Sequence, residues 1–337
     1  MNQPSQQIRI ALPSKGRMEE ETLDFLAAAG LHVSKTNPRQ YSASIPALPG
    51  ALVLFQRTAD IPKSVAAGDM DLGVAGYDNV VEALNGDLND VVIIHDALGY
   101  GECELVVAVP EEWHDVTDFA SLAERARTRG PLRVATKHVN SVERFFAARG
   151  IEQVRIVSAE GALEAAPAVG YADFIADITS TGTTLRDNRL RPLEDGTIVR
   201  SQAVLIGNRA ALAGRPEVLE AARQILEFVE AHLRARGQYL VFANMRGETH
   251  EEIARRVFEQ PDLGGLQGPT ISPLLTRSGE GGWWAINFVV PQSRLYAAIQ
   301  QVRAVGGSGV IATPAAYIFE EHPERYQRLL AALGREA

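Results

Sequence analysis

The chain has 337 residues, 46% hydrophobic and 22% charged, the balance of an ordinary globular protein able to core two or three domains. Its net charge of −9 argues against a nucleic-acid partner, because neutralising phosphates takes a basic face, but leaves room for a local basic pocket. The single cysteine, Cys103, excludes an intrachain disulfide and a cysteine metal cluster, and the seven histidines contain no H-x-x-x-H pair, so no zinc site is expected.

The polar start Met1–Gln7 shows no apolar core behind basic residues, and no apolar run reaches the roughly 18 residues of a membrane helix. Neither a signal peptide nor a membrane segment is expected, which leaves the cytoplasm as the default. Strands are predicted at Ile8–Leu12, Ala51–Phe55, Leu72–Ala75, Leu105–Val109, Leu132–Ala135 and Phe174–Ile178. Helical patterns lie between them at Met18–Ala29, Ile61–Ala67, Val142–Ala148 and Ala162–Val169. Strands alternating with helices predict an α/β fold with a largely parallel sheet.

A weak internal repeat runs through this region. Arg9-Ile-Ala-Leu-Pro-Ser-Lys15 and Arg133-Val-Ala-Thr-Lys137 each lead into a helix that ends in glycine. Gly68-Asp-Met-Asp-Leu-Gly-Val74 and Gly170-Tyr-Ala-Asp-Phe-Ile-Ala176 then repeat a second pattern in the same order. Any α/β unit closes helices with glycine. The recurrence of both elements in sequence predicts two related lobes with a small-molecule cleft between them.

An amphipathic helix is expected from Pro216 to Arg236. Beyond it come a strand (Gln238–Met245), a helix (Glu248–Glu259), strands at Thr270–Thr276 and Trp283–Val290 joined across Gly279–Gly282, a helix (Ser293–Val305) and a strand (Gly309–Thr313). That βαββαβ order describes a ferredoxin-like unit, which reads better as a sensor or assembly domain than as an active site. Trp283 and Trp284 suit its core or an interface.

Chemistry concentrates in Asp177-Ile-Thr-Ser-Thr-Gly-Thr-Thr184. Here a buried strand ends in hydroxyls and one glycine and then enters a helix. Backbone N–H groups and hydroxyls at such a start suit a phosphate monoester. The stretch has no Walker lysine and no G-x-G-x-x-G, and the same residues also describe an ordinary turn with a Ser/Thr N-cap. Strand periodicity puts Asp173 and Asp177 on one face, roughly 13 Å apart at about 3.3 Å per residue, so one sugar cannot reach both. Asp177, beside the loop, is the candidate for ribose hydroxyls, and Asp173 is left for a role at the far end of the strand. Lys15, Arg17, Arg57 and Lys137 all follow strands, where α/β proteins hold ligands, and together would suit a pyrophosphate. Singly, each is an ordinary solvated or capping charge.

These stretches resemble the ATP phosphoribosyltransferase family in its long form. Arg9-Ile-Ala-Leu-Pro-Ser-Lys-Gly-Arg17 is similar to its opening strand and basic loop, and Asp60-Ile-Pro62 with Gly68–Asp78 to its D-I-P and D-L-G-I-x-G-x-[DE] stretch. Leu98–Ala108 resembles its crossing between lobes, and Glu164–Leu185 its signature for phosphoribosyl pyrophosphate (PRPP). The likeness runs from about residue 8 to 320, with departures at 36–50 and 84–96.

The resemblance implies a two-lobed, periplasmic-binding-protein-like catalytic core plus a C-terminal ferredoxin-like (ACT-like) domain. Lobe I would comprise 1–102 and 188–236, lobe II 103–187, and the regulatory domain 237–337. It implies transfer of the phosphoribosyl group of PRPP to N1 of ATP, with Mg²⁺, in the first step of histidine biosynthesis. On this reading Asp177, Ser180, Thr181, Gly182, Thr183 and Thr184 bind PRPP, supported by Glu164 and Asp173. Lys15, Arg17 and Arg57 take pyrophosphate or the phosphates of ATP, with Lys15, Arg17 and Asp177 catalytic. Thr270 and Ser272 would line a site for inhibitory L-histidine, in a homo-oligomer of dimers or hexamers. A two-lobed binding protein and a phosphoribosyltransferase acting on another base are the alternatives.

Overall fold

The computed structural model describes residues 7–35, 37, 40–159, 161–277 and 281–335. Residues 36, 38 and 39 of the divergent 36–50 segment, and 279 and 280 of the expected Gly279–Gly282 connection, lie outside that range. The chain groups into one unit of residues 1–226 with 322–337 and a second of 227–321. No helix among the described residues is long and apolar enough to cross a membrane.

The first unit begins with β1 (Ile8–Pro13), α1 (Gly16–Ala28), β2 (Ser42–Ser44), β3 (Ala51–Gln56), α2 (Ile61–Ala66), β4 (Leu72–Gly76), α3 (Tyr77–Ala83) and β5 (Val91–His95). It crosses into β6 (Cys103–Pro110), α4 (Phe119–Arg129), β7 (Leu132–Thr136), α5 (Val139–Ala148), β8 (Val154–Ser158), β9 (Phe174–Thr179), α6 (Thr183–Asp187) and β10 (Leu190–Ser201). It then returns through β11 (Ala203–Asn208), α7 (Arg209–Gly214) and α8 (Pro216–Ala235), and the division between units falls within α8.

Two sheets form, in the orders β2-β3-β1-β4-β11-β5 and β10-β6-β9-β7-β8. In the first, β1 lies parallel between β3 and β4, and β11 returns antiparallel on β4. In the second, β7 lies parallel between β8 and β9, and β6 runs antiparallel on β9. The repeat seen in the sequence is thus a repeat of architecture, and the two lobes are joined by the crossings 96–102 and Gln202. Strands buried on both faces read as unbroken apolar runs, which is why β1, β4, β7 and β9 were visible in the sequence.

The duplication extends to an ion pair. The Arg9 N–H and guanidinium both donate to Asp71, at 2.8 and 3.2 Å. In the second lobe the Arg133 N–H and guanidinium donate to Asp173, at 2.7 and 3.1 Å. Each aspartate precedes a central strand and ties it to the start of its parallel neighbour.

Three expectations need correction. Residues 188–201 were assigned to lobe I, but β10 pairs with β6 and belongs to the second sheet. Residues 322–337 were assigned to the C-terminal domain, but they group with the first unit, where α11 (Glu324–Ala332) packs on β5 and buries Leu329. The helix expected at Ala162–Val169 shrinks to a single 3₁₀ turn, Leu163–Ala165. Ala162 sits at φ 50°, and Pro167 lacks the N–H a continuing helix would use.

The second unit contains β12 (Gln238–Arg246), α9 (His250–Phe258), β13 (Thr270–Pro273), β14 (Trp283–Pro291), α10 (Gln292–Ala304) and β15 (Ser308–Pro314), the βαββαβ order read from the sequence. Its sheet runs β13-β14-β12-β15, and Val241, Ala243, Met245, Ile286, Phe288 and Val290 alternate inward against Ile253, Val257, Ala298 and Val302 of the helices. Trp284 packs against this core and donates its indole N–H to Gly247 O at 2.9 Å.

Candidate active site

Parallel pairing of β7 with β9 brings their carboxyl ends side by side. Continuing that register two residues past Ala135↔Ile175 sets Lys137 opposite Asp177. The Lys137 ammonium lies 3.8 Å from the Asp177 carboxylate, whose side chain is only 14% exposed. Asp177 also accepts the Ile178 N–H at 2.8 Å. Burial pushes the Asp177 carboxyl above the usual carboxylate range and nearby Glu164 adds to the rise, while the Ile178 N–H, Lys137 and His138 pull it down. The net direction is up. Asp177 is therefore a shielded acceptor whose charge depends on its cationic neighbours.

The next residues form the phosphate-type loop. The Gly182 N–H donates to Thr179 Oγ1 at 2.9 Å, folding the chain back on the end of β9. Gly182 adopts φ +70°, a left-handed conformation that glycine enters without penalty, and α6 starts immediately after it. The Thr181 and Thr183 hydroxyls are 2.9 Å apart. Arg186, not singled out in the sequence, holds the loop from within by donating to Thr181 O at 3.2 Å and Thr183 Oγ1 at 3.1 Å. Its only sequence signal was a basic residue four positions after the glycine. Ser180 and Thr184 are exposed at either end of the turn, and Asn188 Nδ2 donates to Thr184 O at 2.9 Å. A cavity of about 550 Å³ wraps Thr179–Gly182 together with Glu104, Glu111 and Arg186. A second, of about 840 Å³, reaches Ser180 from the crossing strands and is walled by Tyr77, Cys103, Arg200 and the α11 residues Arg325 and Arg328.

Lys15 and Arg57 leave the carboxyl ends of β1 and β3, adjacent parallel strands in register at Pro13↔Gln56. Both are exposed. Arg17, in the first turn of α1, is exposed and paired with Glu21 at 2.6 Å. Burial raises the Cys103 thiol, and Arg17 is near enough to oppose that rise, which puts Arg17 close to the crossing between lobes. Glu164, in the 3₁₀ turn, is near enough to act on Asp177. Asp173 is not part of this group, because it sits at the opposite end of β9 with Arg133. Thr270 and Ser272 lie on β13 in the second unit, opposite Asn287 and Ala285.

Two acidic residues outside the expected site set, Asp78 and Glu82, reach between the lobes. Asp78, at the start of α3, accepts the Ser201 hydroxyl at 2.6 Å and donates its own N–H to Ser201 Oγ at 2.9 Å. Glu82, one turn on, accepts from Asn140 N and Ser141 N at 2.9 Å each. His138 is buried and near enough to feel Asp78, Glu82 and Asp177, with burial holding its pKa below the ordinary histidine value against their pull.

The chain matches the family model described as ATP phosphoribosyltransferase over residues 57–231, and the HisG, C-terminal domain model over residues 235–316. It is 47% identical to ATP phosphoribosyltransferase 2, chloroplastic, of Arabidopsis thaliana, across 98% of this chain and 81% of that protein. It is 36% identical to the ATP phosphoribosyltransferase of Bradyrhizobium sp. (strain ORS 278), across 96% and 98% respectively. Among solved structures it is similar to the ATP phosphoribosyl transferase (HisG:HisZ) complex from Thermotoga maritima, with TM-score 0.52 and 25% identity over 66% of this chain and 99% of that one. With its two lobes, its phosphate-type loop and its separate C-terminal unit, the chain belongs to the ATP phosphoribosyltransferase family, in the long form.

Proposed function

We propose that this chain transfers the 5-phosphoribosyl group of PRPP to N1 of ATP, releasing pyrophosphate and committing ATP to histidine biosynthesis. The observation that carries the assignment of the site is the hydroxyl-and-glycine loop of residues 179–184 following directly on the shielded Asp177 carboxylate. In this reading the loop N–H groups and hydroxyls hold the 5-phosphate, and Asp177 accepts hydrogen bonds from the ribose hydroxyls. The N1 lone pair forms the new bond to C1 as the C1–oxygen bond to pyrophosphate breaks. Positive charge develops on the sugar and negative charge leaves with the pyrophosphate. Positioning and charge stabilisation supply most of the rate. Lys15, Arg17 and Arg57 neutralise the departing phosphates, and Glu164 supports the ribose side.

Mg²⁺ fits this donor set. Glu104 and Glu111 in the cavity around the loop are hard oxygen donors, and among the described residues no group of three or more metal-ligating side chains forms a cage. Such residues would hold the waters of an ion carried mainly by the pyrophosphate, where it supplies charge neutralisation. Turnover of PRPP with ATP is the direct test of the assignment.

The second unit is read as the histidine sensor, with Thr270 and Ser272 as effector contacts. Asn287, opposite Thr270, has a buried side-chain oxygen with no hydrogen-bond partner among the described residues, which a ligand's ammonium or ring N–H would satisfy. Thr270→Ala and Ser272→Ala are each expected to raise the half-inhibitory histidine concentration about tenfold, the loss of one hydrogen bond to a charged group, with turnover unchanged. Titrations giving wild-type inhibition in both variants would move the effector site elsewhere. A homo-oligomer built through this unit is supported by Phe242 and Ile311, paired in register on neighbouring strands and both exposed.

A further inference from the structure

We propose that Glu82, on the first lobe, is a positioning residue for the ribose-binding carboxylate of the second: it seats the start of α5 and thereby sets Lys137 against Asp177. The inference rests on the PRPP reading of Asp177. Helix α5 has no cap of its own, since its N-cap is His138 and that side chain makes no capping hydrogen bond. The N–H groups of a helix's first turn need acceptors, and a carboxylate is the best of them. Glu82 supplies it from α3, with Oε1 accepting from Asn140 N at 2.9 Å and Oε2 from Ser141 N at 2.9 Å and Ser141 Oγ at 2.8 Å. Asn140 Nδ2 answers by donating to Glu82 O at 2.9 Å, and Arg144 donates to Val81 O at 3.2 Å.

Only Lys137 and His138 separate the end of β7 from this helix start. Fixing Asn140 and Ser141 from the other lobe therefore fixes where Lys137 stands, and it stands 3.8 Å from Asp177. Among the described residues, the charged or titratable groups that act on Asp177 are Lys137 and His138 from the β7–α5 junction and Glu164 from the 3₁₀ turn. On β6 its partner is Val106, which carries no charge. Lys137 is the one permanent cation of the set. If it drifts, the buried carboxylate loses its counter-charge and takes a proton more readily, so PRPP binding fails at a higher pH.

The test is steady-state kinetics across pH on full-length Glu82→Ala, Glu82→Gln and Lys137→Met. Glu82→Ala and Lys137→Met are expected to raise KM for PRPP about tenfold, to leave KM for ATP within about twofold, and to move the acid limb of kcat/KM for PRPP to higher pH. The double variant should be no worse than Lys137→Met alone, because both act through one pair. Glu82→Gln, which keeps an acceptor oxygen but loses the charge, should fall between, and serves in place of Glu82→Ala if that variant does not fold. A Glu82 variant that melts lower while its KM and acid limb stay at wild type overturns the inference, as does an additive double variant. Asp177→Asn separates the two levels: unchanged PRPP kinetics there would remove the ribose reading itself, whereas impaired kinetics with unmoved Glu82 variants would remove only this inference.

Discussion

Replacing Gly182 with valine should lower kcat/KM for PRPP by about 100-fold or more while the protein remains folded. Gly182 holds φ +70°, where a β-branched side chain is strained, so the substituted turn will seek another backbone conformation. A Cβ at this position also comes within 3.0 Å of Arg186 Nη1, the group that ties down Thr181 O. Moving either releases the loop that presents Thr181 and Thr183. Displacing a phosphate by about 1 Å displaces C1 with it, and a shift of that size is worth roughly two orders of magnitude in a reaction that depends on positioning. The fold should survive, because α6 is a short, largely exposed element in which only Leu185 is buried. Normal kinetics for Gly182→Val would remove the loop from the site.

Asp177→Ala should be comparably costly, with the loss divided between KM for PRPP and kcat. The carboxylate is shielded, and a hydrogen bond from a ribose hydroxyl to a charged acceptor there contributes about 1.5–3 kcal/mol, or roughly tenfold to 150-fold. Stabilisation of the cationic sugar by the nearby negative charge adds to kcat in the same direction. Because the Asp177 carboxyl is held above its usual range, the wild-type acid limb should lie above that of an ordinary carboxylate. Activity is lost as pH falls through that raised value. In Asp177→Ala this limb should disappear, and a variant that kept both full turnover and the limb would show that another group carries it.

Much of the candidate site could be proposed from the sequence because its parts are contiguous. Strand period alone separated Asp177 from Asp173, and the observed Arg133–Asp173 pair places the latter at the other end of β9. Lys15 and Arg57 were each expected after a strand of a largely parallel sheet, and the parallel pairing of β1 with β3 is what sets them on one edge. What could not be read was contact made across the fold. Glu82 meets Asn140 and Ser141 from 58 and 59 positions away, with no local pattern to mark it. Similarly, β10 carries no sequence signal for the second sheet, because it is a long strand interrupted by exposed Glu194, Asp195 and Arg200 and lacks the apolar run that marks a buried strand. No strand or helix is expected at α11, since it follows a complete βαββαβ unit and docks through contacts distant in sequence, namely buried Leu329, the Arg325–Asp96 pair and the Arg209 guanidinium donating to Ala332 O at 2.6 Å.

Incubating the purified protein with ATP, PRPP and Mg²⁺, then analysing the mixture by mass spectrometry alongside a pyrophosphate assay, decides whether this chain is a phosphoribosyl transferase acting on ATP. The expected product is an adduct of ATP carrying one phosphoribosyl group on N1, formed one for one with pyrophosphate and absent when either substrate is omitted. Pyrophosphate released without the adduct, or phosphoribosyl transfer to a different base while ATP is left intact, would contradict it.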